Sequence, residues 1–228
     1  MLSTSHTARL FLCTYLPVHF TSALIYMAFI NPHERITMPR ELVDNSNDLI
    51  LFNFTDSETT SLDRWVEVSD TVREAGRSKA ALVSHVAYNY QSAIFFYLLN
   101  PLPDGACFAG VDIDLNFLNL SAYQGISIDL HRQGVNSGFK LLFYTDCADY
   151  SNCSSYESFF QTSGDRQYIQ LPFHTFEAYF RGKHQPNAPP LDRSRLTRFG
   201  IQVYGGVYEK RRQSGPGSLE LFTIAAYK

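Results

Sequence analysis

Phe108 to Leu115 reads FAGVDIDL, and Ile126 to His131 reads ISIDLH. In the first run Val111, Ile113 and Leu115 alternate with Asp112 and Asp114. In the second, Ile126, Ile128 and Leu130 alternate with Ser127, Asp129 and His131. Successive side chains of a strand point to opposite faces, so a period of two puts the aliphatic set in a core and the polar set on an open face. The same habit continues on both sides of these runs. Leu49 to Phe54, Trp65 to Val68, Phe139 to Thr145, Tyr168 to Leu171, Ile201 to Tyr204 and Leu219 to Ala226 are short apolar runs bounded by turn residues. Ala81 to Tyr88 and Ser92 to Leu99 form a hairpin around Asn89-Tyr90-Gln91. The spacing predicts about ten strands in an all-β jelly-roll sandwich, with long connections at Asp146 to Gly164 and His174 to Thr197. Leu191 to Arg198 reads as one short helix or turn, and Gly134 to Gly138 as a hairpin turn.

Composition agrees with this class. The chain has 228 residues, 45% of them hydrophobic and 18% charged, enough to bury a core and unlike a disordered chain. Aromatics reach 14%, with 18 Phe and 14 Tyr, which suits half-buried pleated surfaces. The formal net charge of −3 leaves no basic excess to neutralise phosphates and argues against a nucleic-acid partner.

Residues 1–30 carry no acidic group, and Leu10 to Ile30 (LFLCTYLPVHFTSALIYMAFI) is mostly apolar. Arg9 precedes this stretch, and Thr21-Ser22-Ala23 resembles a small-residue cleavage site. The pattern reads as a signal peptide or signal anchor, the chain's one expected membrane contact, and places the protein in the secretory pathway, outside the cell or tethered to a membrane. A mitochondrial presequence is the alternative. Residues 31–47 are a polar linker, and residues 48–228 form the β domain. The sequons at Asn53, Asn119 and Asn152 are glycosylation candidates. Cys147 and Cys153 flank a short polar loop and are a disulfide candidate; the alternative is two unpaired thiols, and the compartment decides.

No reactive constellation stands out. G-x-S-x-G and HExxH are absent, no Cys/His set has metal-ligand spacing, and no cofactor motif occurs. Asp112 and Asp114 read as a solvated strand face. Asp129 and His131 share a polar face and are ligand-binding candidates. Tyr144, Tyr204 and Tyr208 are candidate stacking surfaces for sugar rings, and Gln202 shares a face with Tyr204 and could hold a hydroxyl.

One ordered series of short motifs resembles a known family. Leu51-Phe52-Asn53-Phe54, Trp65 with Asp70, Phe108-Ala109-Gly110, Tyr123 within Leu120 to Ile126, Tyr156 with Phe159/Phe160, Gln170-Leu171-Pro172-Phe173 with Phe176, and Phe180-Arg181-Gly182 follow the complex I intermediate-associated protein 30 pattern. The resemblance implies a galactose-binding-like jelly roll, similar to some carbohydrate-binding modules. It also implies a non-catalytic binding or chaperone domain, since the mitochondrial member assists assembly of respiratory complex I. Within the pattern Gly182 supplies a positive φ, and Arg181 pairs with a buried carboxylate. The chain departs from the pattern where Arg73-Glu74-Ala75-Gly76 replaces a Gly-Gly pair, where Asp165-Arg166-Gln167 replaces a Trp, and at the Cys147–Cys153 insertion. These departures look like a secreted or membrane-tethered branch. The expected partner is a protein client or a glycan.

Overall fold

A computed structural model describes residues 47–56, 61–147, 150–207, 209–210 and 212–228. The apolar stretch of residues 1–30, nearly all of the linker, Tyr208 and Arg211 lie outside the described residues. The described residues form thirteen strands in order: β1 Leu49–Asn53, β2 Val66–Ser69, β3 Lys79–Val86, β4 Gln91–Leu99, β5 Phe108–Leu118, β6 Gly125–Gln133, β7 Gly138–Thr145, β8 Ser155–Gln161, β9 Gln167–Pro172, β10 Glu177–Phe180, β11 Lys183–His184, β12 Leu196–Tyr204 and β13 Gly215–Tyr227.

The strands make two antiparallel sheets. One runs β3-β4-β13-β6-β9, with β1 added to the far end of β13; the other runs β11-β10-β8-β7-β12-β5-β2. Their inner faces meet in a jelly-roll sandwich. Ile126, Ile128, Leu130, Leu219, Leu221 and Ile224 line one side of the core, and Phe139, Leu141, Phe143, Phe199, Ile201 and Val203 the other, all fully buried. Each such side chain contributes roughly 1.5–3 kcal/mol by leaving water. An aromatic cluster fills one end: Trp65 meets Phe52 edge-on at 5.0 Å, and Phe199 lies 5.1 Å from Phe143. Asp70, also buried, accepts hydrogen bonds from the Ser78 amide (2.9 Å) and hydroxyl (2.6 Å).

The strands read from alternation are all present, with shifted ends, and the β3–β4 hairpin turns at Ala87–Tyr90. Three others were hidden. The connection Asp146 to Gly164 contains β8, and His174 to Thr197 contains β10 and β11. Strand β8 escapes because Glu157 and Ser155 are buried by pairing rather than by apolarity. Of the short helix or turn expected at Leu191 to Arg198, the structure has the turn, at Arg193 to Arg195, and β12 begins at Leu196. Gly134 to Gly138 is no hairpin turn, because β6 and β7 belong to different sheets and this segment crosses between them.

Candidate functional site

The outer face of the seven-stranded sheet carries every second residue of its strands. In register across it lie Gly110, Gln202, Lys140 and Phe159, then Asp112, Gly200, Leu142 and Glu157, then Asp114, Arg198 and Tyr144. The β10–β11 hairpin rises along one margin, and the loops beside Cys107 and Gly206 along another. They enclose a groove of about 910 Å³.

Two aromatic groups stand in it. Phe159 meets Tyr204 edge-on at 5.2 Å and Tyr179 at 5.4 Å. Toward the other end Tyr144 meets Tyr150 edge-on at 5.0 Å. Tyr150 sits on the loop closed by the Cys147–Cys153 disulfide, whose Cα atoms are 6.4 Å apart. Its ring is capped by the Arg198 guanidinium at 3.9 Å. Gln213, itself buried, donates to the Tyr204 carbonyl (2.7 Å) and accepts from the Gly138 amide (2.8 Å), fixing the strand ends beneath Tyr204.

Charge lies in the floor between these groups. Lys140 Nζ is 2.6 Å from Glu157 Oε2, both nearly buried, and Ser155 donates to the other carboxylate oxygen at 2.8 Å. Arg198 donates to Asp114 at 3.1 Å and lies 3.8 Å from Asp112. Asp112 is not on a solvated face, which corrects the sequence reading: it is 1% exposed, and its Oδ1 has no hydrogen-bond partner. The reason is its neighbour across the ladder. Gly200 has no side chain, so Asp112 Oδ1 and Leu142 occupy the space a Cβ there would need. Burial raises the Asp112 carboxyl to about 7, against the opposing charges of Arg198 and Lys140.

Burial also raises the Tyr144 hydroxyl to about 12, helped by Asp112 and Glu157, and the Tyr204 hydroxyl to about 12, helped by Glu209 and Tyr179. Both phenols stay protonated at physiological pH. Burial pushes the Cys107 thiol at the groove margin up to about 11, which keeps it a thiol rather than a nucleophile. The groove offers flat rings, hydroxyls and one amide, the equipment for stacking on and hydrogen-bonding to a polar ligand.

Tyr144, Gln202 and Tyr204 therefore share one groove. Asp129 and His131 share their face as expected, but that face points outward from the other sheet, away from this groove. Asp129 takes two hydrogen bonds from Arg166 (3.0 and 2.6 Å), and Arg166 lies 3.6 Å over the Phe222 ring. His131 Nδ1 lies 3.5 Å from Glu220. Among the described residues Arg181 pairs with no buried carboxylate. It is exposed at the groove margin with its guanidinium 5.1 Å over Phe180, and with Gly182 it makes the left-handed two-residue turn of β10–β11 (φ +50° and +77°). Of the other motif residues, Trp65, Phe173 and Phe176 are core, Pro172 ends β9, Gly110 faces Gln202, and the Tyr123 carbonyl accepts from Arg193 at 2.7 Å. Asn119 and Asn152 are exposed, and Asn53 is half-buried.

The groove residues missed in the sequence are Lys140, Tyr150, Glu157, Phe159, Tyr179 and Arg198. Lys140 was legible as the outward position between Phe139 and Leu141. The rest fall in segments read as loop or turn. Among the described residues no group of three or more His, Cys, Asp or Glu could hold a metal ion, and no helix is long and apolar enough to cross a membrane.

The fold is similar to a family 11 carbohydrate-binding module of Clostridium thermocellum, solved in complex with a β-1,3-1,4-mixed-linked tetrasaccharide: TM-score 0.58, 12% identity, covering 79% of this chain and 95% of that one. It is also similar to a family 30 module of a cellulosomal cellulase of the same organism, at TM-score 0.50 and 13% identity, covering 79% and 98%. At such identities the likeness is one of fold. An uncharacterized protein of Schizosaccharomyces pombe is 30% identical over 131 residues, 54% of this chain. The match spans 57% of that relative's length. The model of the Complex I intermediate-associated protein 30 family matches residues 52–221, most of the β domain, and the chain belongs to that family.

Proposed function

We propose that this chain is a non-catalytic binding domain whose groove on the seven-stranded sheet takes a glycan, with Tyr144, Gln202 and Tyr204 among the contacts. The observation that carries the reading is two aromatic groups, Tyr204-Phe159-Tyr179 and Tyr144-Tyr150, flanking a floor of paired charges. Aromatic faces pack on the C–H faces of pyranose rings, while the protonated Tyr hydroxyls, the Gln202 amide and the charged groups meet ring hydroxyls. The sandwich likeness to carbohydrate-binding modules supports the same ligand class. A disulfide persists in oxidising compartments, so the Cys147–Cys153 bridge supports secretion, with residues 1–30 as signal peptide or anchor and glycosylation at the exposed Asn119 and Asn152.

Membership of the complex I intermediate-associated protein 30 family favours a second reading, a protein client held for assembly, which would fit a mitochondrial location. Two measurements separate them. A tagged full-length chain expressed in cells loses mass on glycosidase treatment under the first reading; an unshifted chain imported into mitochondria overturns the secretory assignment. On an array of linear glycans the protein binds, and Tyr204→Ala abolishes the signal. An array with no signal overturns the glycan reading.

A further inference from the structure

Strand β5 carries a local distortion outside the groove described above. Asp114 pairs with Arg198 and Leu118 with Leu196, so Leu115, Asn116 and Phe117 together face Thr197 alone. The extra residues form a bulge, and both Asn116 (φ 51°) and Phe117 (φ 62°) are left-handed. For an aromatic residue this conformation costs free energy, and such strain persists only where the surroundings enforce it. Its result is to stand the Phe117 ring out into solvent, 58% exposed.

The ring is not isolated. The Arg195 guanidinium lies 5.5 Å from its centroid, and the same guanidinium is 3.0 Å from Asp146. Asp146 adjoins Cys147, the first residue of the loop that presents Tyr150. A chain of contacts thus runs from Phe117 through Arg195 to Asp146, next to Cys147, and at the same end of β12 Arg198 joins Asp114 to the Tyr150 ring. Arg195 directly precedes β12 and Tyr204 ends it, nine positions on, which at strand spacing is about 30 Å.

We propose that Phe117 is a specificity-determining stacking platform beyond the disulfide loop, so that the site selects an extended glycan chain over a short one. This rests on the glycan reading of the groove. Arg195 backs the ring, and the exposed remainder is open to one more sugar unit, reached only by a ligand that also fills the groove. The bulge is the device that aims the ring, since a regular β5 would give Phe117 an ordinary extended conformation.

The test uses the full-length chain, with short and long oligomers of whichever linear glycan gives the array signal. Phe117→Ala weakens binding of the long oligomer about tenfold and leaves the disaccharide unchanged, while Phe117→Trp retains the wild-type preference. An unchanged melting temperature shows that the exposed side chain was removed without unfolding. Equal loss for both oligomers, or no loss for either while Tyr204→Ala abolishes binding, overturns the Phe117 assignment and leaves the groove reading standing. A wild-type chain that binds no glycan, or a Tyr204→Ala variant that binds as well as wild type, overturns the groove reading and this inference together.

Discussion

Replacing Asp112 by asparagine isolates what one carboxyl does to the pH dependence of folding. In the native chain this group is buried with Oδ1 unpartnered, and its pKa is raised to about 7 from 3.8. The unfolded chain releases this proton near pH 4, whereas the folded chain holds it until about pH 7. Between those values the folded state binds the extra proton, so raising the pH destabilises it. The stabilising contribution is complete below about pH 4, falls as pH rises through 7, and is gone above. A shift of about three units at 1.36 kcal/mol each makes the loss about 4 kcal/mol. Asparagine keeps the shape and cannot ionise, and Arg198 retains Asp114 as a partner. Urea unfolding of both proteins at a series of pH values from 4 to 8 reads the effect. The difference in stability should move by about 4 kcal/mol in favour of the variant as pH rises. Parallel curves for the two proteins would refute the argument, because they would mean that Asp112 ionises normally in the fold.

Three further outcomes follow from the same face. Lys140→Met strands the Glu157 carboxylate in a buried site and costs about 3–5 kcal/mol, whereas the Lys140→Met, Glu157→Leu double variant recovers most of it in a urea-denaturation cycle. Gly200→Ala drives a methyl group into Asp112 and Leu142 and lowers stability by about 1–3 kcal/mol, seen as a reduced melting temperature. Cys153→Ser opens the small loop at Tyr150 and costs about 2 kcal/mol; adding reductant to the wild type produces the same drop, and reductant leaves the variant unchanged.

Alternation revealed the architecture because most strands bury one face in aliphatic and aromatic side chains. Phe139, Leu141 and Phe143 could be read as core without any partner being known, since burial is a property of the residues themselves. The groove was less legible, because its floor is polar and becomes buried only through pairing. Nothing in Glu157 alone says that Lys140 lies one strand away, and nothing in Asp112 says that a glycine faces it. Tyr144, Gln202 and Tyr204 are legible as outward positions because they alternate with core residues on strands β7 and β12. Asp129 and His131 alternate with core residues in the same way, but parity assigns a face within one sheet and does not say which sheet the strand joins. Phe117 is invisible to any periodic reading, since the bulge breaks the period.

The place of β13 has a consequence for how the domain is made. It is the last strand in chain order, yet it lies between β4 and β6 and also pairs with β1. During synthesis β1, β4 and β6 leave the ribosome without their shared neighbour, and their core-facing residues Phe52, Phe95 and Ile128 have no completed sheet to enter. One half of the sandwich can close only after residues 215–227 have been translated. Premature termination between Gln133 and Gly215 would release a chain with three orphaned edges, prone to pair with other copies rather than to fold.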